Sequence, residues 1–217
     1  MTGTLPDERR NMLGVFLKYP APGQVKTRLA ASIGSEKAAE CCRELAELVL
    51  DRTVSPEQYR RILFISPEER ILDFVRWLPD ETFLPQRGDT LGERMAAAVK
   101  MLLARGDLAV LIGTDIPDLH AQFVAEAFAA LEDHDLVIGP ARDGGYYLIG
   151  MKHEYQPLFE GIAWSTASVL QETVQKASLL GLSYRLLPEL VDIDTFEDYK
   201  QWQNRSQKSS LRKDAAD

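Results

Sequence analysis

Residues 108–112, Leu-Ala-Val-Leu-Ile, contain no polar side chain and run directly into Gly-Thr-Asp-Ile-Pro-Asp-Leu at 113–119. A strand that is apolar at every position, rather than at alternate ones, must be covered on both faces, as happens inside a parallel sheet lying between layers of helices. The chain thus leaves a buried strand and meets two carboxylates at once, Asp115 and Asp118. In open α/β sheets ligands bind at this edge, beyond the carboxyl ends of the strands. Pro117 keeps Ile116 out of the helical region and so holds the Asp115 backbone extended. Asp118 is also suited to beginning the next helix. A second acidic strand end, Val-Asp-Ile-Asp at 191–194, carries Asp192 and Asp194. If the fold joins it to Asp115, the natural product is a divalent-cation site.

With 217 residues, 45% of them hydrophobic, the chain can build one sizeable core. A net charge of -8 leaves no basic excess for a nucleic-acid partner, although it permits a small phosphate ligand held by a local patch or a metal. Cys41 and Cys42 are adjacent, too close for an ordinary disulfide, and are read as small core residues of a helix. The first residues lack the apolar core of a secretion signal, and no stretch reaches the roughly 20 apolar residues of a bilayer span. The expectation is a cytoplasmic protein with no membrane partner. His120, His134 and His153 show no metal-ligand spacing.

Residues 12–17 read as the first buried strand, followed by a loop over 18–29 that carries Lys18, Lys26 and Arg28 between prolines and Gly23. Prolines fix the loop's course, and Gly23 permits a turn or close approach to a ligand. Three cations beside a strand end are unusual in an acidic chain and suit phosphate. Lys26-Thr27 has the dipeptide of a Walker A loop without its two spaced glycines. A helix follows over 35–51, then a strand over 61–65 and an extended piece over 82–87. The segment Gly88-Asp-Thr-Leu-Gly-Glu-Arg-Met95 opens the next helix, with Asp89 placed to cap it and Gln86 and Gly88 near the first loop. A strand over 135–140 meets Arg142-Asp-Gly-Gly-Tyr-Tyr147, where Gly144 and Gly145 make either a hairpin turn or a pocket floor of bare backbone. Asp143 is the candidate there for a ligand hydroxyl. Trp-Ser-Thr at 164–166 starts another helix, residues 182–187 make a last strand, and Thr195 with Asp198 forms a capping box.

The predicted organisation is a lead-in over 1–11, a single domain over 12–203 and a disordered tail over 204–217. Strands alternating with amphipathic helices give three α/β/α layers around a mostly parallel sheet, made mixed by a hairpin strand at 145–151.

The segments VFLKYPAPGQVKTRLA, GDTLGERM, LIGTDIPDL, VIGPARDGGYYLIG, WST and VDIDTFED together resemble the DUF2064 family of bacterial glycosyltransferase-like proteins, in the nucleotide-diphospho-sugar transferase superfamily. The lysine loop and VDIDTFED also resemble, more distantly, phospholactate guanylyltransferase. The resemblance implies a GT-A fold. It makes Lys18, Gly23, Lys26, Thr27 and Arg28 the nucleotide-phosphate loop, and places Gln86, Gly88 and Asp89 beside the base or ribose. It gives Asp115 the place of the metal-binding carboxylate, although Thr114-Asp115-Ile116 lacks the first Asp of the usual Asp-x-Asp, and lets Asp192 or Asp194 supply a second ligand.

Such a site would transfer a glycosyl group from a nucleotide-diphospho-sugar to a small-molecule acceptor. Mg²⁺ or Mn²⁺ on Asp115 and one of Asp192 and Asp194 would neutralise the leaving diphosphate with Lys26 and Arg28, while Asp143 positions or deprotonates the acceptor. Two alternatives stand beside it: nucleotidyl transfer from an NTP to a phosphorylated acceptor, and nucleotide binding without catalysis. A homodimer is left open.

Overall fold

The computed structural model describes residues 11–213. Its central strand β4, Leu108–Ile112, is buried at all five positions, as an unbroken apolar run requires. Around it lie β1 (Asn11–Lys18), β2 (Arg60–Ser66), β3 (Phe83–Pro85), β5 (Leu136–Pro140), β6 (Tyr146–Met151) and β7 (Tyr184–Leu186). They form one seven-stranded sheet in the order β3-β2-β1-β4-β6-β5-β7. Neighbours run parallel except at β6, which is antiparallel to both β4 and β5. The reversed strand expected at 145–151 is therefore present, and the sheet is mixed.

Alternation along β1 feeds two cores. Leu13, Val15 and Leu17 face α2 (Ser35–Arg52), α3 (Ile71–Trp77) and α5 (Ala121–Asp133) through Val49, Phe74 and Val124. Met12 faces the other way, with Phe64 and Leu111, onto α4 (Leu91–Leu103) and α6 (Val169–Leu179) through Val99, Leu102 and Ala177. These are the two helical layers of a three-layer α/β/α fold. Burying each such aliphatic side chain contributes about 1.5–3 kcal/mol, so this double core holds the strand ends in place.

The strand order changes direction beside β1, whose neighbours β2 and β4 continue to opposite sides. Loops leaving β1 and β4 diverge there and open a crevice. Because β5 and β7 share the direction of β4, the turn at 141–145 and the segment 187–194 arrive at the same edge.

Three expected boundaries move. Asn11, placed in the lead-in, belongs to β1, while residues 1–10 lie outside the described residues. The loop read over 18–29 stops early, because α1 (Thr27–Ile33) begins inside it. The tail expected to be disordered from 204 is helical to Lys213, within α7 (Phe196–Lys213); polarity misled here, since nothing between Phe196 and Lys213 is Gly or Pro.

Candidate functional site at the β1–β4 edge

A cleft of about 610 Å³ occupies the crevice, lined among others by Lys18, Lys26, Thr27, Gln86, Asp115 and Asp194. Residues from both ends of the sequence thus meet at the edge beyond β1 and β4.

Lys26 is its centre. The residue sits in the left-handed region, φ 48° and ψ 46°, a conformation costing a non-glycine residue roughly 1–3 kcal/mol. From there its side chain runs inward, only 5% exposed, to an ion pair of 2.5 Å with Asp115 Oδ1. The ammonium also donates to the main-chain oxygen of Ile193 at 2.6 Å. Burial pulls the ammonium's pKa down, but the Asp115 charge and hydrogen bond outweigh it and the net shift is upward. Lys26 is therefore a fixed positive charge across the physiological range. Asp115 keeps 58% of its side chain exposed, so the pair is reachable from the cleft.

Around this pair, Arg28 meets Asp194 at 3.0 Å in an exposed bridge, and Lys18 donates to the Gln24 carbonyl at 2.7 Å. Thr27 opens α1 and lines the cleft. Gln86 lines it from the far side, its amide held by the Phe64 carbonyl at 2.9 Å. Gly23 has φ +75° and open space about its Cβ position, a turn residue that does not line the cleft.

Gly88 and Asp89 are not among the cleft's lining residues. Gly88 has φ +126°, and a Cβ there would lie 2.6 Å from Glu93 Cβ, so the turn itself requires glycine. The cap of α4 is Thr90, in a capping box with Glu93, one residue beyond the expected Asp89. Gly144 is likewise not an empty floor. A Cβ on it would come within 2.2 Å of the Ala167 carbonyl, and its own carbonyl accepts from Leu170 N–H at 2.9 Å.

The aspartates divide into two groups. Asp115 and Asp194 line the cleft, whereas Asp192 is coupled to Asp143. Desolvation first, then the neighbouring Asp143, pushes the Asp192 carboxyl above its usual range. Asp143 itself accepts from Gly145 N–H at 2.8 Å, which shapes the turn. Among the described residues, no three His, Cys, Asp or Glu side chains are gathered to hold a metal. The chemistry that this set could meet is that of Mg²⁺, which is commonly held through one or two carboxylates and completed by phosphate oxygens. Asp115 and Asp194 are the two that could contribute.

Arg94, Tyr146, Tyr147 and Cys42 also line the cleft without having been singled out for it. Arg94 was visible inside GDTLGERM, and its side chain is held at the start of α4 by the Gly88 carbonyl, to which it donates at 2.9 Å.

Among curated proteins none matches the chain. Residues 49–166 match the family described as uncharacterized protein conserved in bacteria, DUF2064. A crystal structure from Desulfovibrio desulfuricans G20, that of a candidate nucleotide-diphospho-sugar transferase, superposes with a TM-score of 0.86 at 37% identity, covering 93% of this chain and 90% of that one. The 4-diphosphocytidyl-2C-methyl-D-erythritol synthase of Anaerococcus prevotii DSM 20548 shares the fold at 13% identity, TM-score 0.61, with 91% and 99% covered. Molybdopterin-guanine dinucleotide biosynthesis protein A of Archaeoglobus fulgidus does so at 18%, TM-score 0.59, with 91% and 99% covered.

Proposed function

The chain belongs to the DUF2064 family, and from that premise we propose that it is a transferase using a nucleotide-activated donor, with a nucleotide-diphospho-sugar as that donor and glycosyl transfer as the reaction. The observation carrying this reading is Lys26, held in a strained backbone conformation and ion-paired at the switch point. Such strain persists where the surroundings over-determine it, and a buried ammonium facing a cleft is suited to an anionic ligand.

In this reading the diphosphate lies along the loop after β1. Lys26 and Lys18 receive its oxygens, Arg28 covers its outer side, and Thr27 meets it at the start of α1. Gln86 faces the base or ribose. Asp115 and Asp194 would hold Mg²⁺ or Mn²⁺ against the diphosphate, and the ion would supply further neutralisation of the leaving group. Asp143, at the turn after β5, would orient the acceptor hydroxyl and take its proton. Positive charge fixed before the reaction stabilises charge that develops on the leaving diphosphate without reorganisation.

A second reading, nucleotidyl transfer from a triphosphate, is favoured by the three cations Lys18, Lys26 and Arg94 in one cleft. A triphosphate carries more charge to be met. The deciding experiment is calorimetric binding of UDP-sugars, GDP-sugars and nucleoside triphosphates, with Mn²⁺ and then with excess chelator. Metal-dependent binding of a diphospho-sugar, lost in Asp115→Asn, is the expected result. Preference for a triphosphate over every diphospho-sugar would replace glycosyl by nucleotidyl transfer, and binding of neither would overturn both.

A further inference from the structure

A lysine ammonium has three N–H donors. In Lys26 one meets Asp115 Oδ1 at 2.5 Å and another the Ile193 carbonyl at 2.6 Å. The same residue grips Asp115 as well, because Ile193 N–H donates to the Asp115 carbonyl at 3.0 Å. One residue of the 191–194 segment thus ties both members of the ion pair through its main chain alone.

Its side chain explains why that main chain stays put. Ile193 is wholly buried among Leu29, Ala38, Cys41 and Leu45, with Tyr199 and Trp202 of α7 packed over the same cluster. The helix that follows is pinned at two further points of the edge. Arg142 meets Asp198 at 2.9 Å and Arg205 meets Asp118 at 3.1 Å. Sequence alone suggested the neighbouring carboxylates as the working groups of this segment; the contact with Lys26 is made by the residue between them.

We infer that Ile193 is a positioning residue for Lys26. Its main chain makes one of the ammonium's contacts and holds the backbone of Asp115, which makes the other, so that the third N–H is left for a phosphate oxygen in the cleft, and the seating of α7 over Ile193 governs how tightly the cleft holds phosphate. The second part rests on the phosphate reading proposed above; the first does not.

The test follows the Lys26 ammonium directly, by NMR of protein carrying ¹⁵N-labelled lysine, with the signal assigned from its loss in Lys26→Gln. A buried, hydrogen-bonded ammonium exchanges its protons slowly and gives a resolved signal. Ile193→Ala is expected to broaden that signal and weaken binding of inorganic pyrophosphate about tenfold, the loss of one ordinary hydrogen bond's worth of affinity. Ile193→Val is expected to restore both. Val124→Ala, in the core under α5, serves as a control of similar thermal destabilisation and should leave signal and affinity unchanged. A sharp Lys26 signal in Ile193→Ala, or equal broadening in Val124→Ala, overturns the inference. Should Ile193→Ala not fold, Tyr199→Ala removes part of the cover instead, and the same two outcomes decide. Wild-type protein that shows the slow ammonium but binds neither pyrophosphate nor any nucleotide overturns the phosphate reading and the role of α7 in it, while the signal still decides the positioning of Lys26.

Discussion

Two cavities of nearly equal size flank α4. The cleft at the β1–β4 edge measures about 610 Å³, and a second cavity behind the helix, lined by Ala96, Val99, Phe159 and Trp164, measures about 630 Å³. The first gathers Lys18, Lys26, Arg94, Asp115 and Asp194 from widely separated stretches of chain. The second has an apolar floor and, at its rim, Lys100 facing Glu154 at 3.8 Å in an exposed pair. Size does not distinguish them. What does is the convergence of charged groups, one of them buried and strained, where loops from different strands meet.

The hardest blow to that contrast would be Lys26→Ala. A charge-assisted hydrogen bond lost from a phosphate is worth about 1.5–3 kcal/mol, roughly 10- to 150-fold in nucleotide affinity by calorimetry. Because the Lys26 pKa is raised above 10.5, its charge is fully present at lower pH and is lost only as pH rises through the higher value. Wild-type affinity should accordingly show no lysine step between pH 7 and about 9.5.

Next comes the wall between the cavities. A Cβ on Gly92 would stand 2.5 Å from the Phe159 carbonyl and 2.7 Å from Trp164 Nε1. Gly92→Ala should therefore cost about 1–3 kcal/mol in chemical denaturation, with nucleotide affinity changing far less than in Lys26→Ala. If affinity fell as far, the cavities would be one functional unit.

The third comparison concerns stability. The carboxyl of Asp192 is raised by burial and by Asp143, Asp194 and Asp198, so its ionised form weakens the fold at neutral pH. Asp192→Asn should raise Tm at pH 7, and the gain should shrink as pH falls toward the ordinary value of 3.8. The last effect is the smallest: Lys100→Ala, at the rim of the second cavity, should change stability by less than about 0.5 kcal/mol and leave nucleotide binding untouched.

Much of this edge was legible in the sequence because burial and charge leave marks on composition. The apolar run of β4, the cations after β1 and the carboxylates at 115 and 192–194 all follow from residue type. That β1 is covered on both faces was equally plain, whereas which residues meet which core, Leu13 one and Met12 the other, came from the structure. The Ile193 contact was hidden because a main-chain carbonyl has no letter in a sequence. Gly144 was left open between a hairpin turn and a pocket floor, and only the resemblance put Gly88 beside the nucleotide; each is required by local packing, Gly88 against Glu93 and Gly144 against Ala167. The tail illustrates the opposite error. Polar composition from Asn204 onward suggested disorder, but the helix seated upstream by Tyr199 and Trp202 continues to Lys213.

The reversed strand β6 carries a consequence for how such a protein can diversify. A parallel strand delivers only its final residues to the cleft edge, and its connection must then cross back through a helix. Since β6 runs the other way, residues 141–145 leave β5 and enter β6 at that same edge. They form a turn closed at both ends by ladder pairing, which can vary without rethreading a crossover, within the limits set by Gly144 against Ala167 and by Arg142 on Asp198 of α7.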